Sequence, residues 1–132
     1  MNSSVAVEGT WQMIRGELSG DPAPELVTTK TQVEFAAGSY RVRFAGEIAD
    51  RGRYELGGTL EARTMVLHGE TGPNAGRTIP CIYQLTGNLL RICYGFDSVT
   101  PTEFATTAGD QRYLAFYRRH LAPGEETSGT VA

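Results

Sequence analysis

Along most of the chain apolar and polar residues alternate with a period of two, in short runs interrupted by turn residues every eight to twelve positions. That pattern predicts a meander of short antiparallel strands, and no long segment keeps a helical period. Strands are predicted at 9–18, 31–36, 40–45, 48–56, 63–69, 77–85, 89–95 and 112–119. The breaks fall at Asp21-Pro22-Ala23-Pro24, Ala37-Gly38-Ser39, Gly46-Glu47, Gly57-Gly58, the 71–76 loop, Gly87-Asn88 and the long connection 96–111. Glycine and asparagine supply the positive φ that tight hairpins require.

One hairpin can be taken to its register. A two-residue turn at Gly87-Asn88 pairs Leu85 with Leu90 and Tyr83 with Ile92, so the apolar sets of both strands meet on one face. The same register sets Cys81 inward opposite Tyr94 and turns Cys93 outward, which predicts two free thiols. A three-residue turn would instead bring Cys81 against Cys93. Free thiols agree with a reducing compartment.

Extending the alternation gives one inward set: Trp11, Met13, Val33, Phe35, Tyr40, Val42, Phe44, Tyr54, Leu56, Met65, Leu67, Ile79, Tyr83, Leu85, Leu90, Ile92, Leu114 and Phe116. Arg41, Arg43, Arg51, Arg53 and Arg91 fall on the other face. Eight antiparallel strands with one apolar face can close on themselves, leaving no open edge and an interior that is filled or holds one small ligand. The expected fold is therefore all-β, an eight-stranded antiparallel up-and-down barrel. A two-sheet sandwich is the alternative, disfavoured by the sequential hairpins.

Composition narrows the function classes. The chain has 132 residues, enough for one core, and its 12 basic and 15 acidic side chains give a net charge of −3. No electrostatic footprint for nucleic acid results. Eleven of the basic residues are arginine and Lys30 is the one lysine, without a run that would mark a membrane surface. The first residues show neither a basic n-region nor an apolar stretch, and no window approaches a membrane span. A cytoplasmic protein is expected, with an extension at 1–8, a domain at 9–120 and a mobile tail at 121–132.

Several segments resemble a known family. Gly9-Thr10-Trp11 resembles the Gly-x-Trp signature of lipocalin-type barrels. Gly72-Pro73-Asn74-Ala75-Gly76, followed by the run from Ile82 to Tyr94, resembles the core of a bacterial lipocalin-like domain family of planctomycete and acidobacterial type, a family of unknown function. Pro101-Thr102-Glu103-Phe104 and the Arg118-Arg119 end are similar to its later segments. Two departures stand out: 57–63 is shorter than in the family, and Gly69 replaces an apolar residue. The resemblance implies a calycin-type barrel but brings no activity, substrate or catalytic residue. It also implies that Trp11 packs across the closed end with Arg118 or Arg119 lying on it, a cation–π contact of roughly 0.5–2 kcal/mol.

Candidate chemistry is sparse. His68 and His120 are the two histidines and form no metal-ligand spacing with cysteines or carboxylates, so no metal and no cofactor is expected. The serines lie in termini and turns without a nucleophile elbow. The 71–76 loop lacks a Walker lysine and reads as a hairpin or Ω-type loop. What remains is a set of polar groups on the inward face: Tyr40, Tyr54, Tyr83 and Tyr94, with Arg15, Asp50 and Cys81 turned inward by the same period. Arg15 and Asp50 pair with each other at the rim, or Arg15 and the tyrosine hydroxyls orient the polar or anionic head of a ligand whose apolar body lies on the aromatic wall, Asp50 standing in the same lumen. Met65 completes the expected lumen site, and Phe104 is expected to plug the mouth beside Glu103.

The leading expectation is a non-enzymatic protein that takes a small hydrophobic or amphiphilic molecule into the lumen. The alternatives are an isomerase or cyclase using Asp50 or Glu103 with Tyr83 or Tyr94, and an interaction module docking an acidic partner on Arg41, Arg43, Arg51 and Arg53.

Overall fold

The structure, a computed structural model, describes residues 6–59 and 61–120. The expected 121–132 tail and residues 1–5 of the expected extension lie outside the described residues. In chain order the elements are β1 (Gly9–Leu18), β2 (Asp21–Pro22), α1 (Glu25–Lys30), β3 (Thr31–Ala36), β4 (Ser39–Phe44), β5 (Glu47–Gly58), β6 (Arg63–Thr71), β7 (Thr78–Thr86), β8 (Leu89–Gly95) and β9 (Arg112–His120). Each strand from β3 to β9 pairs antiparallel with the next, β3 pairs with β1, and β1 pairs with β9. Eight long strands thus close into an up-and-down barrel. The two-residue β2 lies beside the end of β1 through Glu17 and Leu18.

The β7–β8 hairpin has the register that the alternation demands. Leu85 faces Leu90, Tyr83 faces Ile92 and Cys81 faces Tyr94, and both cysteines are free. Cys93 points away from the lumen yet is fully buried, because the 96–111 connection folds back over the outer wall. Its Sγ lies 3.9 Å from the Ala105 carbonyl, and Pro101 in the same connection is also fully buried.

Periodicity does not predict α1, since six residues make fewer than two turns. Its local signals are Pro24 at the N-cap, Glu25 in the first turn and Lys30 in the last. Gln12 docks it onto β1: its Nε2 donates to the Thr28 carbonyl at 2.9 Å and the Thr31 carbonyl at 3.1 Å. The helix therefore sits at the end of the barrel opposite the turns 37–38 and 87–88.

Bulges correct part of the inward set. In β1 the register shifts between Met13 and Arg15, so that Met13 faces Tyr117 while Arg15 faces Phe116. Ile14 is the extra residue, and beyond it the strand's faces exchange. Arg15 consequently stands outside the barrel with its guanidinium 5.2 Å from the Phe116 ring centroid, contrary to the expectation that it points inward. The phase of β9 also differs. Ala115 and Tyr117 belong to the core cluster, whereas Phe116 is on the outer face and Leu114 is buried on that face beside Cys93. β9 is apolar at five consecutive positions, so alternation carries no phase there and pairing with β8 decides it. Phe44, the last residue of β4, is 42% exposed at the rim rather than in the core.

The half of the lumen around Trp11 is solidly filled. Trp11, Phe35, Met65, Cys81, Leu90, Ile92 and Ala115 are essentially without exposure. The Trp11 indole donates to the Val7 carbonyl at 2.9 Å, which ties the segment before β1 across this end. Of the two candidate arginines it is Arg119 that lies on the indole, 4.3 Å from the ring, while its Nη1 and Nη2 donate to the carbonyls of Glu8 at 2.7 Å and Ala6 at 2.9 Å. Arg118 is exposed. Replacing Arg119 by Ala removes the stacking and both charge-assisted bonds and is expected to cost about 2 kcal/mol. Arg118→Ala should stay within about 0.5 kcal/mol, equilibrium urea denaturation being the measurement for both.

Candidate functional site

A cavity of about 180 Å³ remains in the lumen toward the α1 end, bounded by Met13, Val33, Phe35, Val42, Leu67 and Ile79 on its apolar side. Its other walls are Thr31, Tyr40, Asp50, Asn74, Tyr94, Phe96, Tyr113 and Tyr117. Phe96 and Tyr113 also border a surface groove formed by Leu18, Pro22, Pro24 and Val27, so these two rings stand between the cavity and the outside.

Asp50 reaches the lumen in phase with Tyr54 and Leu56, facing Val42; just before it the register of β4 on β5 shifts, Arg43 facing Ile48 with Ala49 as the extra residue. The inward period of β5 is held at Asp50, Tyr54 and Leu56, and Ile48 beyond the bulge is thrown out to 47% exposure. The 72–77 turn then lies against this bulge. A side chain at Gly72 would meet the Ala49 carbonyl and the Asp50 backbone, and one at Gly69 would collide with the Asn74 carbonyl. These close approaches explain glycine at both positions, including Gly69, where the family resemblance leads one to expect an apolar residue. They bring Asn74 over the lumen, where its Nδ2 donates to Asp50 Oδ2 at 2.7 Å. Behind Asn74, Arg77 donates to Asn74 Oδ1 at 3.1 Å and to the Phe96 carbonyl at 2.6 Å, with its guanidinium over the Phe96 ring.

The tyrosines divide by partner. Tyr94 and Tyr117 share a hydroxyl–hydroxyl bond of 2.7 Å, and Tyr113 donates to Met13 Sδ at 3.4 Å. The hydroxyls of Tyr40 and Tyr54 and the Oδ1 of Asp50 are buried without a partner among the described residues. Burial pushes the Tyr40 phenol up to about 12, with the negative charge of Asp50 adding to the effect. Burial likewise raises Tyr54, Tyr94, Tyr113 and Tyr117 and holds the Cys81 thiol protonated.

Of the residues singled out from sequence, Tyr40, Asp50 and Tyr94 line the cavity. Tyr54, Met65, Cys81 and Tyr83 are buried in the filled half, Tyr54 edge-on to Phe35 at 5.0 Å. Phe104 does not plug the mouth. It lies on the outer wall beneath the Arg91 guanidinium, 3.9 Å away, with Glu103 exposed beside it. His68 is half-buried on the outside, 3.6 Å from Glu55, and His120 is exposed at the end of β9. The outer arginines are partly matched: Arg41 and Arg43 both reach Glu34, at 3.2 and 3.4 Å, and Arg53 reaches Glu70 at 3.5 Å. Asn74, Phe96, Tyr113 and Tyr117 escaped the sequence reading. Two of them lie outside regular strands, where alternation has no meaning, and two lie on β9, whose phase it could not set.

Comparison with protein-family models, with curated proteins and with solved structures gives no match to this chain. Among the described residues no helix is long and apolar enough to cross a membrane.

Five raised phenols have a consequence for stability at high pH. From about pH 10 the unfolded chain loses tyrosine protons that the folded barrel still holds, so stability is intact below that pH and falls as pH rises through 10 toward 12. In a spectrophotometric titration tyrosinate absorbance should lag that of the denatured chain and then appear together with loss of near-ultraviolet dichroism. Ordinary titration of all six tyrosines with the fold intact would contradict the burial described.

Proposed function

We propose that this chain is a binding protein of the lipocalin-like kind, holding one small, mainly apolar or amphiphilic molecule in the barrel lumen. The observation that carries this reading is the cavity itself: about 180 Å³ of space walled by aromatic and aliphatic side chains, with Tyr40 and Asp50 each contributing a buried polar group free to orient a ligand. A void of that order suits a benzene-sized body. Anything longer leaves between Phe96 and Tyr113 into the groove of Leu18, Pro22, Pro24 and Val27. The closed barrel and the Gly9-Thr10-Trp11 and Arg119 arrangement support the same reading, because they match what the family resemblance implies for one end while the other end stays unfilled. Of the groups in the catalytic alternative, Asp50 and Tyr94 line the cavity, whereas Glu103 is exposed on the outer wall and Tyr83 is buried away from it. The acidic-partner alternative is weakened by Glu34 and Glu70 on the arginine face.

Native mass spectrometry of freshly purified protein, followed by organic extraction, is expected to show one small molecule per barrel. Val42→Phe, which places a ring in the cavity from the rim, should keep the fold and weaken uptake at least about tenfold. An empty wild-type protein that gains no thermal stability from small apolar and amphiphilic compounds would overturn the proposal.

A further inference from the structure

The charge of the cavity wall is one-sided. Among the described lining residues Asp50 is the one charged side chain, and no lysine, arginine or histidine joins it. Arg15, the residue that would have made an anion site, is outside. Asp50 is 8% exposed, its Oδ2 is held by Asn74, its Oδ1 has no partner, and it belongs to none of the described ion pairs. Arg77 does not substitute for a partner, because its donors go to the far side of Asn74 and to the Phe96 carbonyl. A buried carboxylate with an open oxygen is costly unless something positive or hydrogen-donating meets it.

The same cavity is lined by six aromatic side chains, Phe35, Tyr40, Tyr94, Phe96, Tyr113 and Tyr117. Such rings attract a cation electrostatically and exclude the water that would otherwise solvate it. A carboxylate and an aromatic enclosure together discriminate among head groups. An ammonium gains a charge-assisted bond to Oδ1 and the ring quadrupoles, a hydroxyl gains a neutral-donor bond alone, a hydrocarbon leaves Oδ1 unmet, and an anion is repelled at low dielectric.

We propose that the lumen ligand is a small organic amine, its ammonium group on Asp50 Oδ1 and its apolar body against the tyrosine and phenylalanine wall; this rests on the lumen-binding reading above and specifies its ligand class. The test compares four probes of nearly equal size, benzylamine, benzyl alcohol, toluene and benzoate, by nitrogen-15 NMR titration of the whole chain at neutral pH and low salt. Benzylamine should shift the amides of Tyr40, Asp50, Asn74 and Tyr94 and bind about tenfold tighter than benzyl alcohol, with benzoate weakest. In Asp50→Asn the advantage of the amine over the alcohol should shrink to about twofold or less while the alcohol still binds. Benzyl alcohol or toluene binding the wild-type lumen as tightly as benzylamine would overturn the amine assignment and leave the lumen reading standing. Failure of all four probes to move lumen amides would overturn both. The ranking on the wild-type protein decides between these outcomes even if the variant does not fold.

Discussion

The pairing of β1 with β9 is the contact on which the rest of the molecule depends. It spans nearly the whole length of both strands, from Thr10 against His120 to Leu18 against Tyr113, and turns an open eight-stranded meander into a closed barrel. Closure removes the edges through which strands associate with other chains and forces one face of every strand into a common interior. At the end where β1 begins, Arg119 of β9 lies over Trp11 of β1 and bonds the carbonyls of Ala6 and Glu8, so the seam is also where the interior is sealed.

If the side-chain period ran unbroken, closure would turn Arg15, Ile48 and Asp50 all inward. It does not. The bulge at Ile14 moves Arg15 out of the lumen, and the bulge at Ala49 expels Ile48 while Asp50, on the inner side of it, keeps the period of the strand. A single extra residue exchanges the faces of everything beyond it. The electrostatic character of the cavity is thereby set by one insertion and one unbroken period: the first removes the cation that the simple period would have admitted, and the second keeps the carboxylate inside.

The same economy appears in the loops. Gly69 and Gly72 let the 72–77 turn lie directly on the Ala49 bulge, which is how Asn74 comes to hold Asp50. The 96–111 connection does the reverse of what its place at a barrel end invites. It contributes Phe96 to the cavity and then runs back along the outside, burying Pro101, Cys93 and Leu114 and setting Phe104 under Arg91. Polar restraint on the inside and apolar cover on the outside therefore come from the 72–77 turn and the 96–111 connection.

Strand order, the turn at Gly87-Asn88, the pairing of Tyr83 with Ile92, the free thiols and the inward placement of Tyr40, Asp50 and Tyr94 all follow from the sequence, because a period of two and a turn of known length leave one register in which apolar faces meet. The helix at Glu25–Lys30 left only cap signals, too short for a period to register. The outward turn of Arg15, the phase of β9, the choice of Arg119 over Arg118 and the arrival of Asn74 and Phe96 at the cavity were decided by tertiary structure. Each depends on a bulge, a loop or the pairing with a neighbouring strand, settled by residues distant in sequence, and local alternation holds no information about them.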